Sequence, residues 1–263
     1  MSITGCRNDA LVTLLNSIGY QPVLLPRTGL APPELYVYDN SRLVRRGPLA
    51  AYLPDGVTVP APLQGELSSI EHHQTSGKNL SVAANFLGDA LKCIGVMSAP
   101  KLDLSFAGSR DITFSFEKVT YLAVEPASID HMLGKLITGA IPEEFIDNGF
   151  LHIAYEYAFA GSISMKAGGS AGLSWDVTAA KLGAYIDLGT QGKVNVTSED
   201  TITFSSNNGS AAAFAFKIGR LERRGRKWFF FPEEDAGQGF LAEEAAPQPY
   251  LLERGVVIRV EEE

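Results

Sequence analysis

The sequence predicts an α+β fold, a central twisted antiparallel sheet with peripheral helices. Three observations carry it. Apolar and polar residues alternate over much of the stretch from Lys101 to Leu221, the period of a strand with one buried face. Apolar stripes at helical spacing occupy only short windows, near 9–19, 79–96 and 126–138. Turn signals such as Asn207-Asn208-Gly209 punctuate the alternating runs. With 263 residues, 45% of them hydrophobic, the chain can bury one sizeable core and carry a short appendage.

The first predicted helix is capped by Asp9, carries Leu11, Leu14, Leu15 and Ile18, and stops at Gly19. Pro22, Pro26, Pro32 and Pro33 break the chain around Val23-Leu24-Leu25. Glu34 to Asp39 reads as a strand. Arg42, Arg45 and Arg46 form a basic cluster before Gly47-Pro48, and Pro54 to Pro62 reads as loop. Asn79 to Val96 reads as a helix weakened by Gly88 and Gly95, each by up to about 1 kcal/mol relative to alanine.

From Lys101 the period becomes two. Leu102, Leu104 and Phe106 are followed, after Ala107 to Asp111, by Ile112, Phe114 and Phe116, the pattern of a hairpin with one apolar face. Val119 to Val124 continues as strand. Pro126 to Thr138 reads as a helix with Ile129, Met132, Leu133 and Leu136 on one side. Phe150 to Met165 reads as one long strand, with Ile153, Tyr155, Tyr157 and Phe159 on one face. Further strands are expected at Gly183–Leu188, Lys193–Thr197, Thr201–Ser205, Ala211–Leu221 and Trp228–Phe231, while Trp175–Ala180 is ambiguous.

Charge is unevenly placed. Pro232 to Glu263 holds nine acids and two bases, so −7 of the net charge of −8 lies in the tail. Nucleic-acid binding is not expected, since it wants a basic surface. Residues 232–249 read as an exposed, protease-sensitive linker. Tyr250 to Val260 turns apolar again, which a solubilising tail alone would not need. Two cysteines, Cys6 and Cys93, make no disulfide framework, and a reducing, intracellular setting is expected. No apolar h-region opens the chain, so no secretory signal is expected. No run approaches the ~18–20 apolar residues of a membrane helix.

Catalytic patterns fail one by one. Gly168-Gly169-Ser170-Ala171-Gly172 matches a nucleophile elbow, but that fold needs a histidine after the serine and the last one here is His152. Cys93 on an apolar helical face reads as core, although His131 or His152 beside it is not excluded. His72-His73 after Glu71 lacks a third metal ligand at supporting spacing. Gly189 to Lys193 is too short for a phosphate-binding loop. The expectation is no enzyme, no metal and no cofactor.

The opening of the chain carries a resemblance. Cys6, Asp9 and a first helix are followed by Gly19-Tyr20-Gln21-Pro22-Val23-Leu24-Leu25-Pro26-Arg27 and Pro32-Pro33-Glu34-Leu35. This resembles the start of bacterial gasdermins, and the length, alternating strands and short tail fit along the rest of the chain. Cys6 lies slightly further in than the family pattern has it. The resemblance implies a gasdermin pore-forming-domain-like fold in a soluble autoinhibited state. Residues 1–231 would be the pore-forming body and 250–263 an autoinhibitory peptide.

It further implies an activating protease, caspase-like or other, that removes the peptide. The body would then pass from monomer to homo-oligomer, from cytoplasm to inner membrane, and form large β-barrel pores in membrane lipid. Cell death in anti-phage defence would follow. The inserting hairpins would come from about 79–118 and 151–205. Cys6 would carry a palmitoyl chain. The scissile bond would fall among Gly239, Phe240, Leu241, Ala242, Glu243, Glu244, Ala245 and Ala246. Autoinhibitory contacts would come from Tyr250, Leu251, Leu252, Val256, Val257, Ile258 and Val260. Basic residues meeting the membrane would be Arg7, Arg42, Arg45, Arg46, Arg220, Arg223, Arg224, Arg226 and Lys227. The alternative is a β-rich lipid- or protein-binding module with a regulatory tail and no pore.

Overall fold

The structure is a computed structural model that describes residues 15, 19–39, 42–67, 111–136, 141, 145, 151–168, 192–198, 201–206, 211–225, 227–233, 250–253 and 256–259. In chain order the elements are β1 (Gln21–Arg27), β2 (Glu34–Asp39), β3 (Arg42–Pro48), a 3-10 turn (Leu49–Tyr52), β4 (Leu63–Glu66), β5 (Asp111–Glu117), β6 (Thr120–Ala123) and α1 (Pro126–Leu133). There follow β7 (Leu151–Ala160), β8 (Ser162–Gly168), β9 (Gly192–Ser198), β10 (Thr201–Ser206), β11 (Ala212–Arg224), β12 (Lys227–Pro232), β13 (Tyr250–Glu253) and β14 (Val256–Arg259).

Ten strands form one sheet in the order β12-β11-β1-β13-β14-β3-β2-β7-β6-β4. β11 also pairs with β7, so β11, β1, β13, β14, β3, β2 and β7 close into a ring. Closure gives each ring strand a neighbour on both sides, while β12 and β4 are the terminal strands of the sheet. Two buried clusters lie on this sheet. One gathers Val23, Tyr36, Ala154, Tyr157, Phe159, Phe216 and Ile218. The other gathers Leu35, Val37, Leu151, Ile153, Tyr155, Leu221 and Phe230 with Ile129, Met132 and Leu133 of α1. Helix α1 is tied to β12 by the Phe230 N–H, which donates to Asp130 Oδ1 at 2.9 Å. A second sheet of four strands has the order β5-β8-β10-β9.

Of the predicted first helix, Leu15 is described and helical, while residues 9–14 and 16–18 lie outside the described residues. Gly19 sits at φ 78°, and the Tyr20 N–H donates to the Leu15 carbonyl at 2.8 Å. A glycine at positive φ with a backbone bond of this kind is how a helix commonly stops. Strands lie at 34–39, 111–117, 120–123, 192–198, 201–206, 212–224 and 227–232, each overlapping an expected strand with bounds that differ by up to three residues. The described helix at 126–133 is shorter than the expected 126–138.

Several expectations are corrected. Prolines do not break the chain at Val23-Leu24-Leu25, because β1 runs through Pro22 and Pro26. Its ladder to β11 shifts register between Pro22 and Arg27 instead, which accommodates residues that cannot donate. The basic cluster at Arg42–Arg46 is part of a strand, and β4 was not foreseen. The long strand from Phe150 splits at Gly161 into β7 and β8, which belong to different sheets. Nor do its aromatics share one face. Ile153 and Tyr155 pack in one cluster, Tyr157 and Phe159 in the other. The cause is a register shift on β7, where Lys217 pairs with Glu156 but Ile218 with Ala154. One extra residue flips every side chain beyond it to the opposite face. The single C-terminal strand is two strands, β13 and β14, paired antiparallel as a hairpin.

The expected helix at 79–96, the strand at 102–106, the turns at 107–110 and 207–209, the loop at 169–172, the segments at 175–180 and 183–188, and the linker from 234 to 249 lie outside the described residues.

Candidate functional site: the seat of the C-terminal hairpin

The ring is completed by the tail. β13 pairs parallel with β1, with Val23 opposite Leu252. β14 pairs antiparallel with β3, placing Val256 opposite Val44, Val257 opposite Leu43 and Ile258 opposite Arg42. β13 and β14 pair with each other, Leu252 opposite Val257. The hairpin therefore holds both edges of a gap. On one side β1 is anchored by β11, and on the other β3 is anchored by β2. A hairpin seated this way satisfies backbone donors and acceptors that β1 and β3 would otherwise leave open.

Beside the seat lies a buried polar network. Glu34 on β2 is 2% exposed. The Arg45 guanidinium donates to it through both Nε, at 2.9 Å to Oε2, and Nη2, to Oε1. The Tyr157 hydroxyl donates to Oε2 at 2.8 Å, and the Tyr36 hydroxyl lies 2.9 Å from that of Tyr157. Each hydroxyl has one proton, so donation runs from Tyr36 to Tyr157 to Glu34. A buried carboxylate is tolerable only with this kind of complete pairing. Burial, reinforced by the Glu34 charge, pushes the Tyr36 phenol far above its ordinary range. Burial also raises Tyr157, with the charges of Tyr36 and Glu34 adding to it. The bonds from Glu34 raise the Arg45 guanidinium further, so it stays charged.

The network is next to the seat in the ladder. Tyr36 pairs with Arg45 and Val37 with Val44, and Val44 is the partner of Val256. A second polar group fastens Tyr20, which follows the first helix. Its hydroxyl donates to Glu156, and Lys217 Nζ lies 3.7 Å from that carboxylate and 4.8 Å from the Tyr20 ring centroid.

The expected site residues are dispersed. Tyr250, Leu251 and Leu252 lie on β13; Val256, Val257 and Ile258 lie on β14. Cys6, Arg7, Arg226, Val260 and the cleavage region 239–246 lie outside the described residues. Arg42 is on β3. Arg45, expected at a membrane surface, is committed to Glu34. Arg46 is exposed, its guanidinium 5.4 Å from the Phe145 ring centroid. On the β11–β12 hairpin Arg220, Arg223, Arg224 and Lys227 are exposed. Arg220 and Arg224 both pair with Glu222, and Arg224 lies over the exposed rings of Phe229 and Phe231.

Sequence reasoning missed the Glu34 network, since a glutamate two residues before a tyrosine signals nothing until non-local pairing brings Arg45 and Tyr157 to it. Of the enzyme candidates, Ser170, Cys93, His72 and His73 lie outside the described residues. His131 is exposed on α1, and His152 is buried with Glu233 Oε1 at 3.8 Å. Among the described residues no three of His, Cys, Asp and Glu cluster as a metal site. No described helix is long and apolar enough to cross a membrane.

The family model described as the Bacterial Gasdermin Family matches residues 23–238. The chain belongs to the bacterial gasdermins. Gasdermin bGSDM of Piscinibacter sakaiensis is 48% identical over 259 residues, covering 98% of this chain and 97% of the relative. Gasdermin bGSDM of Vitiosangium sp. (strain GDMCC 1.1324) is 21% identical over 222 residues, covering 82% and 83%. The solved structure of a bacterial gasdermin from Bradyrhizobium tropiciagri aligns with TM-score 0.45 and 14% identity over 88% of this chain and 93% of that one. For this gasdermin, family membership implies a pore-forming role in cell death.

Proposed function

We propose that this gasdermin is held inactive by its C-terminal hairpin and released by proteolysis of the linker 232–249. One observation supports the reading above others: β13 and β14 bridge β1 and β3 and complete the ring. Cutting the linker changes no rung of that ladder. It turns an intramolecular partner, at an effective concentration on the order of millimolar, into one that dissociates. Loss of the hairpin then opens two strand edges at once, an arrangement that favours association between copies. The linker suits cleavage: residues 233–249 include five acids, no lysine or arginine, and several glycines and prolines.

The freed bodies oligomerise into β-barrel pores in the inner membrane, and the cell dies in defence against phage. A palmitoyl chain on Cys6 adds membrane affinity that a single chain supplies only weakly. The exposed cations Arg46, Arg220, Arg223, Arg224 and Lys227, with Arg7, Arg42 and Arg226, add to it on anionic lipid. The activating protease is a separate protein. The test is dye release from liposomes by the full chain before and after cleavage within 232–249. Leakage only after cleavage is the expected result. A cleaved chain that sheds its hairpin and leaves liposomes intact would refute the reading.

A further inference from the structure

The two sheets share their strands. β5 continues into β6, β8 continues from β7, and β10 leads to β11. The order β5-β8-β10 in the small sheet repeats the order β6-β7-β11 in the large one. Register is preserved across the break as well. On the far side Phe116 pairs with Ile163 and Glu117 with Ser162. On the near side Thr120 pairs with Phe159 and Tyr121 with Ala158. Counting inward from either side makes Lys118 the partner of Gly161 and Val119 the partner of Ala160. One antiparallel ladder is interrupted for two rungs without any slip. At the third junction Ser205 pairs with Ser162 and Ala212 with Ala160, so the register there differs by five residues between the two sheets.

The interruption has a local cause. Lys118 is the one non-glycine residue at positive φ among those described, at 54°, a conformation that crowds an L side chain. Opposite it, Gly161 donates its N–H to the Glu117 carbonyl at 2.9 Å, one residue off the ladder register. Gly161 is not required by the resting shape. Its φ is outside the left-handed region, and a Cβ there meets nothing nearer than 3.5 Å. By contrast a Cβ on Gly219 would lie 2.5 Å from the Phe230 ring. A groove of about 590 Å³, lined by Leu30, Lys118, Thr120, Phe159, Gly161 and Ser162, opens along the same line.

We infer that Lys118 and Gly161 form a hinge held in its bent state, and that pore formation straightens it. The proposal rests on the pore-forming reading above and adds where the chain moves. Straightening carries Lys118 from the left-handed region to extended backbone and restores the two missing rungs. Residues 111–123 then form one strand and 151–168 another, both longer than the about 9–11 residues that cross a bilayer. On the ladder of β5 and β6 against β8 and β7 no pairing has to slip, so these strands join without unzipping from each other.

Two substitutions at Lys118 test it in opposite directions. Glycine is at ease in the left-handed region and a β-branched residue is not. Lys118→Gly should raise the melting temperature of the intact chain and slow leakage by the cleaved chain about tenfold. Lys118→Val should lower the melting temperature and speed leakage. The cleaved wild type is the control. If it does not leak, the pore-forming reading fails and the hinge's role with it. If it leaks, and Lys118→Gly leaks equally fast or both variants shift the rate in the same direction, the hinge alone is overturned. Should Lys118→Val fail to fold, Lys118→Gly decides by itself.

Discussion

Tyr157 shows how much a single side chain can couple in this fold. It is fully buried, donates to Glu34 and accepts from Tyr36, so one phenol links β7 to β2 and, through Arg45, to β3. Its deprotonated form would be a second anion against Glu34, and the same holds for Tyr36. The pH consequence has a definite sign. Both phenols have folded-state values raised above their ordinary 10. Below pH 10 folded and unfolded chains hold these protons alike and stability is unaffected by them. Above it the unfolded chain releases them and the folded chain keeps them, so stability falls as pH rises. Each buried tyrosine should add up to about 1.4 kcal/mol per pH unit to the decline. Urea midpoints from pH 8 to 11.5 measure the slope, and Tyr157→Phe should make it shallower. An unchanged slope in Tyr157→Phe would mean that this phenol is not held protonated by burial beside Glu34.

At the scale of elements, strands were legible wherever a local period survived. The alternation at 111–117 and 201–206 needed only one buried face to show itself. β1 was hidden because two prolines argue against a strand, whereas a locally irregular ladder tolerates them. The face assignment of β7 failed at one extra residue, which no periodicity can locate in advance. The split at Gly161 was equally invisible, since alternation runs straight through it. Glycine has a different meaning at Gly219. There β12 crosses so close to β11 that a Cβ would sit 2.5 Å from two Phe230 ring atoms and 2.7 Å from the Phe231 carbonyl oxygen. Backbone cannot yield as a flexible side chain can. Gly219→Ala should therefore destabilise the chain by about 1–3 kcal/mol, read as a lower urea midpoint. A neutral Gly219→Ala would show that β12 can lift off β11 at no cost.

For the whole molecule, the tail was legible in kind but not in place. Composition marked an acidic linker followed by an apolar segment. It could not reveal that the segment folds back on itself between β1 and β3, because those pairings join residues more than 200 positions apart. That placement makes the hairpin part of the ring rather than a strand laid on an outer edge. An outer strand can peel away from one neighbour; this one must leave two. Weakening the seat should then substitute for the cut. Leu252 is registered with buried Val23 and with Val257, and Val257 with Leu43. Aspartate at both positions adds unpaired charge at the centre of the seat, which is costly wherever water is excluded. The uncleaved Leu252→Asp, Val257→Asp chain should leak liposomes at a rate approaching that of the cleaved wild type. Cleavage should add little further. If the uncleaved double variant stays folded and silent, the ring is held shut by something other than this hairpin.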